Sequence, residues 1–367
     1  MSLTAGIIGL PNVGKSTLFN AITNSRVEAA NYPFATIEPN VGIVEVKDQR
    51  LIDLSELFHP ERTIFTTFEF TDIAGLVKGA SNGEGLGNKF LANIRQVDAI
   101  CHVVRCFEDA DIQHVYNRID PVDDIEIINY ELIMADMTSC ENRIAKVEKK
   151  AQTSKDKEAV FEYNILKKVH EALGKGQVIR SLSFNETEKE YLKGFEFLTS
   201  KPVIYIANIK EEEINDPEAN PYYLRVREYA DKEGSEVVAI SAKIEEELSD
   251  LDKEEKQAFL EDLGINRSGL DELIFKAYKT LGLKTFFTVG KDECRGWTFR
   301  DGMKAPECAG IIHTDFQRGF IKAEVYTYDD IMEYKSEVKL KEVGKIRQEG
   351  KEYLVKDGDV IFFKFNV

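Results

Sequence analysis

The sequence predicts an α/β domain that is interrupted by a helical insertion and followed by a small α+β domain. Three observations support this prediction. Short apolar runs alternate with helical patterns over residues 1–122 and resume over residues 201–282, as expected for the strands and helices of one α/β sheet. Residues 123–200 instead carry apolar residues at helical spacing. From residue 283 to residue 367, short strand patterns are separated by turn residues.

The first apolar run leads into Gly9–Thr17, whose sequence GLPNVGKST fits a phosphate-binding loop between a strand and a helix. Gly9 and Gly14 let backbone N–H groups surround a phosphate, and the helix N-terminus adds a favourable dipole. Lys15 can reach the outer phosphates of a nucleotide and stabilise charge during phosphoryl transfer, and the Ser16 hydroxyl can bind Mg²⁺. The residues predicted to bind the phosphates are Asn12, Val13, Gly14, Lys15, Ser16 and Thr17.

Two later stretches supply the remaining parts of a site for Mg²⁺ and the γ-phosphate. Thr36 lies in the loop before the second strand, where phosphate-loop switch proteins place a threonine that gives the metal a second hydroxyl. Asp72 ends an alternating strand, and Gly75 follows it three residues later. The carboxylate suits the hydration shell of the metal, and the glycine N–H suits the γ-phosphate. The order of the motifs predicts Mg²⁺ held by Ser16 and Thr36, with Asp72 behind water.

The stretch from Asp72 to Leu91, DIAGLVKGASNGEGLGNKFL, is the most distinctive in the chain. It resembles the Obg-related branch of phosphate-loop GTPases. Over nearly the whole chain, the order of motifs resembles the YchF subfamily, the ribosome-binding Obg-like ATPases. The domains that this resemblance implies are an Obg-type nucleotide-binding domain at 1–122 and 201–282, an inserted coiled-coil arm at 123–200, and a TGS domain of β-grasp fold at 283–367.

The residue after Gly75 is Leu76, where Ras-like enzymes place a glutamine that orients the attacking water. Leucine has no donor or acceptor, so intrinsic hydrolysis should be slow unless another group or a partner supplies this function. His114 lies in a polar loop after a strand, and most such histidines are merely exposed. The resemblance implies that a mobile histidine at this position takes part in hydrolysis.

The motif that reads the base also departs from the GTPase pattern. GTPases have Asn-Lys-x-Asp, in which the aspartate accepts hydrogen bonds from guanine, whereas this chain has the sequence NIKE at 208–211. Loss of one good bidentate pair removes about 1–3 kcal/mol of discrimination, which is enough to abolish a preference for guanine. We therefore expect ATP as substrate, with GTP binding still possible. The residues predicted to surround the base are Asn208, Ile209, Glu211, Ser241, Ala242 and Lys243.

Asn12 has a second predicted role. In potassium-activated relatives, an asparagine at this place helps to coordinate a monovalent cation that replaces an arginine finger. The resemblance therefore implies K⁺ as a possible second cofactor beside Mg²⁺.

Two regions are candidates for contact with the ribosome or its RNA. The apolar pattern of the insertion predicts two amphipathic helices that form an antiparallel coiled coil, with lysines near a polar tip at 152–157. The C-terminal domain has the clearest basic concentration, with Tyr334 and Tyr353 nearby to stack on bases. For the arm, a solvated charged face is the more common explanation, and contact with RNA or protein is the alternative. For the C-terminal domain the two explanations are equally good, and there the resemblance favours contact with RNA or the ribosome. The basic residues are Lys335, Lys339, Lys341, Lys345, Arg347 and Lys351.

Composition limits the remaining possibilities. The formal net charge of −17 argues against an electrostatic grip of the whole molecule on nucleic acid, and we expect no DNA partner. No run of eighteen apolar residues occurs, and no basic segment precedes the first apolar run, so the sequence predicts no membrane span and a cytoplasmic location.

These observations predict a Mg²⁺-dependent ATPase that acts as a ribosome-associated, translation-linked switch. One other class of function fits the same residues. Since no glutamine follows Gly75, the protein could be a nucleotide-gated scaffold that binds RNA or the ribosome, with incidental hydrolysis.

Overall fold

The computed structural model describes residues 4–24, 40–73, 86–116, 118–153 and 156–366. These residues form two compact units. The first contains the described residues of 4–24, 40–43 and 69–273, and the second contains 44–68 and 274–366. The division into nucleotide domain, arm and TGS domain stays a prediction, and the structure adds that residues 44–68 pack with the C-terminal part of the chain.

The described residues contain the following regular elements. The strands are β1 (Thr4–Ile8), β2 (Val41–Val46), β3 (Arg62–Ile64), β4 (Thr66–Asp72), β5 (Ala99–Arg105), β6 (Val203–Asn208), β7 (Glu236–Ile240), β8 (Leu283–Thr288), β9 (Glu293–Arg300), β10 (Phe320–Thr327), β11 (Arg347–Glu349) and β12 (Asp359–Phe365). The helices are α1 (Lys15–Asn24), α2 (Gln49–Phe58), α3 (Leu86–Gln96), α4 (Pro121–Thr153), α5 (Lys157–Gly174), α6 (Glu186–Lys193), α7 (Pro221–Glu233), α8 (Ala242–Ser249), α9 (Lys253–Asp262), α10 (Gly269–Thr280), α11 (Ala305–Ile312), α12 (Thr314–Arg318), α13 (Tyr328–Tyr334) and α14 (Glu337–Glu342).

The first sheet has the strand order β2-β4-β1-β5-β6-β7. Strand β1 pairs in parallel with β4 on one side and β5 on the other, and β5, β6 and β7 continue the parallel arrangement. Every residue of β5 and β6 is buried, which is typical of parallel strands covered on both faces. Because the carboxyl ends of these strands meet at one edge, the loops that follow them form a single site.

The helical insertion lies between two neighbouring strands, since β5 and β6 pair in parallel with each other. Its two long helices, α4 and α5, run antiparallel: Arg143 bonds with Glu162 near the middle, and Lys150 pairs with Asp156 at 2.6 Å near the tip. Asp156 also caps α5 by accepting backbone hydrogen bonds from Glu158 and Ala159. The predicted interruption of an α/β sheet by a helical hairpin is confirmed.

The second unit contains a sheet of order β11-β10-β12-β8-β9-β3 with helices on both faces. One face packs with α11 through residues such as Phe286 and Cys308. On the other face, Leu51 and Leu54 of α2 pack with Phe287. The predicted α+β class of the C-terminal region is confirmed. Among the described residues, no helix is long and apolar enough to span a membrane.

Candidate nucleotide-binding site

The loop between β1 and α1 has the backbone of a phosphate-binding turn. Asn12 and Gly14 adopt positive φ angles of 63° and 95°, and α1 begins at Lys15. A Cβ atom on Gly14 would lie 2.2 Å from Nδ2 of Asn208. Glycine is therefore required at position 14 by both the backbone angle and the close approach of Asn208.

Asn208, at the end of β6, connects two loops of the site. Its side chain is buried, its Nδ2 donates to the carbonyl of Val13 at 2.9 Å, and its Oδ1 accepts from the N–H of Ala242 at 3.1 Å. The sequence placed Asn208 beside the base. In the structure its amide links the phosphate loop to the loop that begins α8, and the side chain also lines the cavity between them.

These loops surround one cavity of about 610 Å³, a size typical of small-molecule sites. The cavity brings together most of the residues that the sequence predicted for phosphate and base. The predicted residues that line it are Asn12, Gly14, Thr17, Asn208, Ile209, Glu211, Ser241, Ala242 and Lys243. Val13 lies beneath the loop as a buried residue.

One end of the cavity combines apolar walls with a charged pair. Phe107, Ile112 and the buried Ile209 supply the apolar surface. Lys243 donates to Oε2 of Glu211 at 3.1 Å, and this hydrogen bond raises the pKa of Lys243. The carboxylate that replaces the aspartate of GTPases is therefore already engaged by a lysine.

Arg105 shapes this cavity wall and was not among the residues predicted for the site. The buried guanidinium donates to the carbonyls of Phe107 at 3.0 Å, Ile112 at 2.8 Å and Asp109 at 3.1 Å. It also lies 4.6 Å from the centre of the Phe107 ring. Burial lowers the pKa of Arg105. An arginine at the end of the apolar run AICHVVR was the available signal, because a buried arginine needs such partners.

The described residues predicted to bind Mg²⁺ and the outer phosphates lie where β4 and α1 meet the phosphate loop. Lys15 Nζ forms an ion pair with Asp72 Oδ1, and Ser16 is exposed on the first turn of α1. Thr36 and Gly75 lie outside the described residues. Hydroxyl and carboxylate oxygens fit Mg²⁺, which prefers few protein ligands together with water and phosphate. The described part of the chain contains no cluster of three or more His, Cys, Asp and Glu residues able to hold a metal ion.

His114 is buried rather than exposed. Its Nε2 lies 2.9 Å from Oδ2 of Asp124 in the first turn of α4, and its Nδ1 accepts from the N–H of Tyr116 at 3.3 Å. The preceding residue touches the phosphate loop, since the carbonyl of Gln113 accepts from Asn12 Nδ2 at 3.1 Å. Burial raises the pKa of Asp124. The structure thus brings the His114 loop to the site, whereas the imidazole faces the arm helix.

The parallel sheet, the phosphate loop and the cavity at the carboxyl ends of the strands define a phosphate-loop nucleotide-binding protein. Residues 4–136 match a family model described as a 50S ribosome-binding GTPase. Residues 283–366 match the C-terminal family model of YchF-type GTPases, described as a protein of unknown function.

Similar proteins extend this match to the full chain. It is 60% identical to the ribosome-binding ATPase YchF of Bacillus subtilis and 52% identical to that of Escherichia coli O157:H7, in each case over 100% of both chains. The structure of the Schizosaccharomyces pombe YchF GTPase superposes with a TM-score of 0.89 at 39% identity, covering 99% of this chain and 98% of the other. The chain belongs to the YchF family, which confirms the resemblance found in its sequence.

Proposed function

We propose that this protein is a ribosome-binding ATPase that hydrolyses ATP to ADP and phosphate and acts as a translation-linked switch. The observation that carries the proposal is the single cavity formed by the phosphate loop, the 208–211 segment and the 241–243 segment. The full-length similarity to proteins named ribosome-binding ATPases supports both the reaction and the partner.

At the phosphate end, Lys15 binds the outer phosphates and stabilises charge on the transferring group. Ser16 and Thr36 would supply hydroxyl ligands for Mg²⁺, and Asp72 would interact with its hydration shell. When bound, Mg²⁺ neutralises phosphate charge and orients the oxygens. Lys15 and Asp72 pair with each other in the structure, and contacts with the nucleotide and its metal would replace this ion pair. The backbone N–H of Gly75 completes the γ-phosphate site.

At the base end, the geometry favours adenine over guanine. A guanine-reading carboxylate must accept from N1–H and the 2-amino group, whereas the carboxylate of Glu211 is engaged by Lys243 at 3.1 Å. Ile209 offers apolar contact where GTPases place a lysine stem. ATP is therefore the proposed substrate, and GTP binds comparably or more weakly.

The decisive experiment is calorimetric titration of the Mg²⁺-loaded protein with ATP and GTP, together with steady-state turnover. We expect ATP to bind at least as tightly as GTP and to be hydrolysed. Lys15→Ala should abolish turnover. The matched control is Lys210→Ala, which removes a lysine beside the base rather than the phosphates. A tenfold preference for GTP would overturn the choice of substrate.

A monovalent cation at Asn12 is part of the same proposal. Nδ2 of this side chain donates to the carbonyl of Gln113, so the amide oxygen is the atom suited to coordinate K⁺. Turnover in K⁺ should exceed turnover in Na⁺, and equal rates would remove K⁺ from the mechanism.

For the ribosome, the C-terminal helix α14 is the favoured contact surface. Lys335, Lys339, Lys341 and Lys351 are exposed, while Lys345 pairs with Asp330 at 3.0 Å. Arg347 donates to the hydroxyl of Tyr353 at 2.9 Å. Tyr334 and Tyr353, predicted to stack on bases, are half-buried, and both side chains pack against hydrophobic clusters of the second unit. The lysine-bearing tip of the arm is the second proposed contact.

A nucleotide-gated scaffold with incidental hydrolysis is the alternative function. It is favoured by one feature of the sequence, the leucine at position 76 in place of a water-orienting glutamine. Ribosomes should stimulate turnover of a switch, and the stimulation should vanish in Lys15→Ala. If the affinity for ribosomes is the same with and without nucleotide, and ribosomes do not stimulate ATP turnover, the scaffold function would be favoured instead.

A further inference from the structure

We infer that Asp124, in the first turn of the arm helix α4, positions His114 and thereby controls when this histidine can act on a bound nucleotide. The inference rests on the proposed function and on the role in ATP hydrolysis that the family resemblance implies for His114. Asp124 is a positioning residue, because it faces His114 and not the nucleotide cavity.

Both ring nitrogens of His114 are engaged in the structure. Nδ1 accepts from the backbone N–H of Tyr116 at 3.3 Å, which assigns the proton to Nε2, and Nε2 donates to Oδ2 of Asp124 at 2.9 Å. The side chains of the pair are only 3% and 4% exposed. In this arrangement neither nitrogen can orient a water molecule, so any action on the nucleotide requires the imidazole to leave Asp124.

The loop that carries His114 is already in contact with the site. The carbonyl of Gln113 accepts from Asn12 in the phosphate loop at 3.1 Å. Two residues before His114, Ile112 lines the cavity and its carbonyl is held by Arg105 at 2.8 Å. A local rotation of the loop after Gln113 would therefore bring the imidazole from the arm helix to the phosphate end.

Asp124, the hydrogen-bond partner of His114, belongs to the arm. Asp124 lies in the first turn of α4, a single helix of 33 residues that continues to the tip of the hairpin. A tilt of this helix displaces Asp124 directly, so contact of the arm with the ribosome would be transmitted to His114. An acidic residue in the first turn of a helix also interacts favourably with the helix dipole and so stabilises the helix. If Asp124 had only this stabilising role, its removal would not change turnover.

The direction of the effect follows from the populations of the two positions. If the imidazole of His114 is bonded to Asp124 most of the time, turnover is limited to the small fraction of molecules in which the imidazole is free to act. Removing the carboxylate leaves a buried Nε2–H without an acceptor, which disfavours the bonded position. Asp124→Ala should therefore raise the turnover of the free protein, whereas a carboxylate that assists a catalytic base would lower it.

The test is steady-state ATP turnover of the full-length chain, with and without ribosomes. For Asp124→Ala we expect a turnover about three- to tenfold higher, an unchanged KM and a smaller stimulation by ribosomes. Asp124→Asn keeps an acceptor oxygen and should give a smaller increase. Asp123→Ala is the matched control, because Asp123 lies in the same helical turn, is more exposed and pairs with Arg118. Its turnover should equal that of the wild type.

Two further measurements separate the possible failures. The double variant His114→Ala/Asp124→Ala should be as slow as His114→Ala, which shows that the increase passes through His114. If His114→Ala alone turns over normally, the proposed role of His114 is wrong and the inference falls with it. If His114→Ala is slow but neither Asp124 variant is faster, only the inference is wrong.

A spectroscopic readout keeps the test valid if Asp124→Ala folds poorly. In the ¹⁵N-histidine-labelled wild type, the Nε2–H proton of His114 should be protected and observable. A non-hydrolysable ATP analogue should remove this signal, and Asp124→Asn should weaken it. A signal that persists unchanged with the analogue would contradict release of the imidazole.

Discussion

Single side chains hold the loops of the site at fixed separations. Asn208 forms hydrogen bonds with the backbone of two loops, and Arg105 donates hydrogen bonds to three carbonyls of a third loop. Their positions at the ends of β6 and β5 follow from the sequence pattern, because strands and their ends are marked by apolar runs. Their partners do not follow, since Val13 and Ala242 are far from Asn208 in the chain and only the folded sheet brings them together.

Asn208→Ala should lower both stability and nucleotide affinity. The substitution leaves the buried carbonyl of Val13 and the N–H of Ala242 without their partner, at a cost of roughly 2–4 kcal/mol in the free energy of unfolding. We expect nucleotide affinity to fall at least tenfold, because the phosphate loop loses its support. Urea unfolding and calorimetric titration measure the two effects.

The control for this substitution is Asn215→Ala. Asn215 also donates to a backbone carbonyl, that of Leu263 at 2.7 Å, but this bond is exposed. Its removal should cost less than about 1 kcal/mol and leave nucleotide affinity unchanged. Equal losses in the two variants would show that Asn208 has no special role in the site.

Among the secondary-structure elements, helix α8 lines part of the cavity and is anchored by a buried carboxyl group. Ser241 caps the helix, and Glu245 accepts from the N–H of Gly269 at the start of α10 at 2.7 Å. The sequence from residue 245 to residue 261 is strongly acidic, a pattern typical of a solvated surface. Glu245 is instead 4% exposed, because the helix turns this one acid inward. In a run of acidic residues, the sequence alone does not show which one is buried, because its hydrogen-bond partner is distant in the chain.

Glu245 should make the stability of the protein depend on pH. Burial raises its pKa from 4.5 to about 7 in the folded state, even though the Gly269 and Leu270 N–H groups and Lys256 favour the charged form; Asp271 opposes it. The folded state therefore holds the proton more tightly than the unfolded state. Stability is greatest below about pH 4.5 for this group and decreases as the pH rises through 7, by about 3 kcal/mol in total.

Glu245→Gln removes the titrating group and should remove this decrease. Urea unfolding at pH 5, 6, 7 and 8 gives the slope for both proteins, and their difference isolates Glu245 from other titrating groups. Glu247→Gln is the control, since Glu247 lies on the same helix, is exposed and pairs only loosely with Lys243 at 3.8 Å. If wild type and Glu245→Gln have the same pH dependence, the carboxyl group titrates normally.

Across the whole molecule, the sequence predicted the sheet, the interrupting hairpin and the C-terminal α+β region, because each has its own periodicity of apolar residues. It did not predict that residues 44–68 pack with the C-terminal region. There, Arg50 of α2 donates to Asp357 at 2.8 Å and Leu54 enters a core with Phe287. The pattern of α2 shows an amphipathic helix, but nothing in it identifies which distant residues will cover its apolar face.

The distribution of charge makes ribosome binding sensitive to a small basic surface. Since the chain has a net charge of −17, attraction to RNA must come from local lysines such as Lys339 and Lys341, which are exposed on α14. Lys339→Glu/Lys341→Glu should weaken ribosome binding at least tenfold at physiological salt. It should also reduce the dependence of log K on log salt by about 2, one for each lost phosphate contact.

Cosedimentation with ribosomes across a salt series measures both quantities, while nucleotide affinity should stay at the wild-type value because α14 lies outside the cavity. The control Lys175→Glu/Lys232→Glu changes net charge by the same amount on exposed residues of the first unit. If both double variants lose binding equally, net charge alone governs the interaction. A loss confined to the α14 variant would identify α14 as a contact surface, since only direct neutralisation of phosphates changes the salt slope at constant net charge.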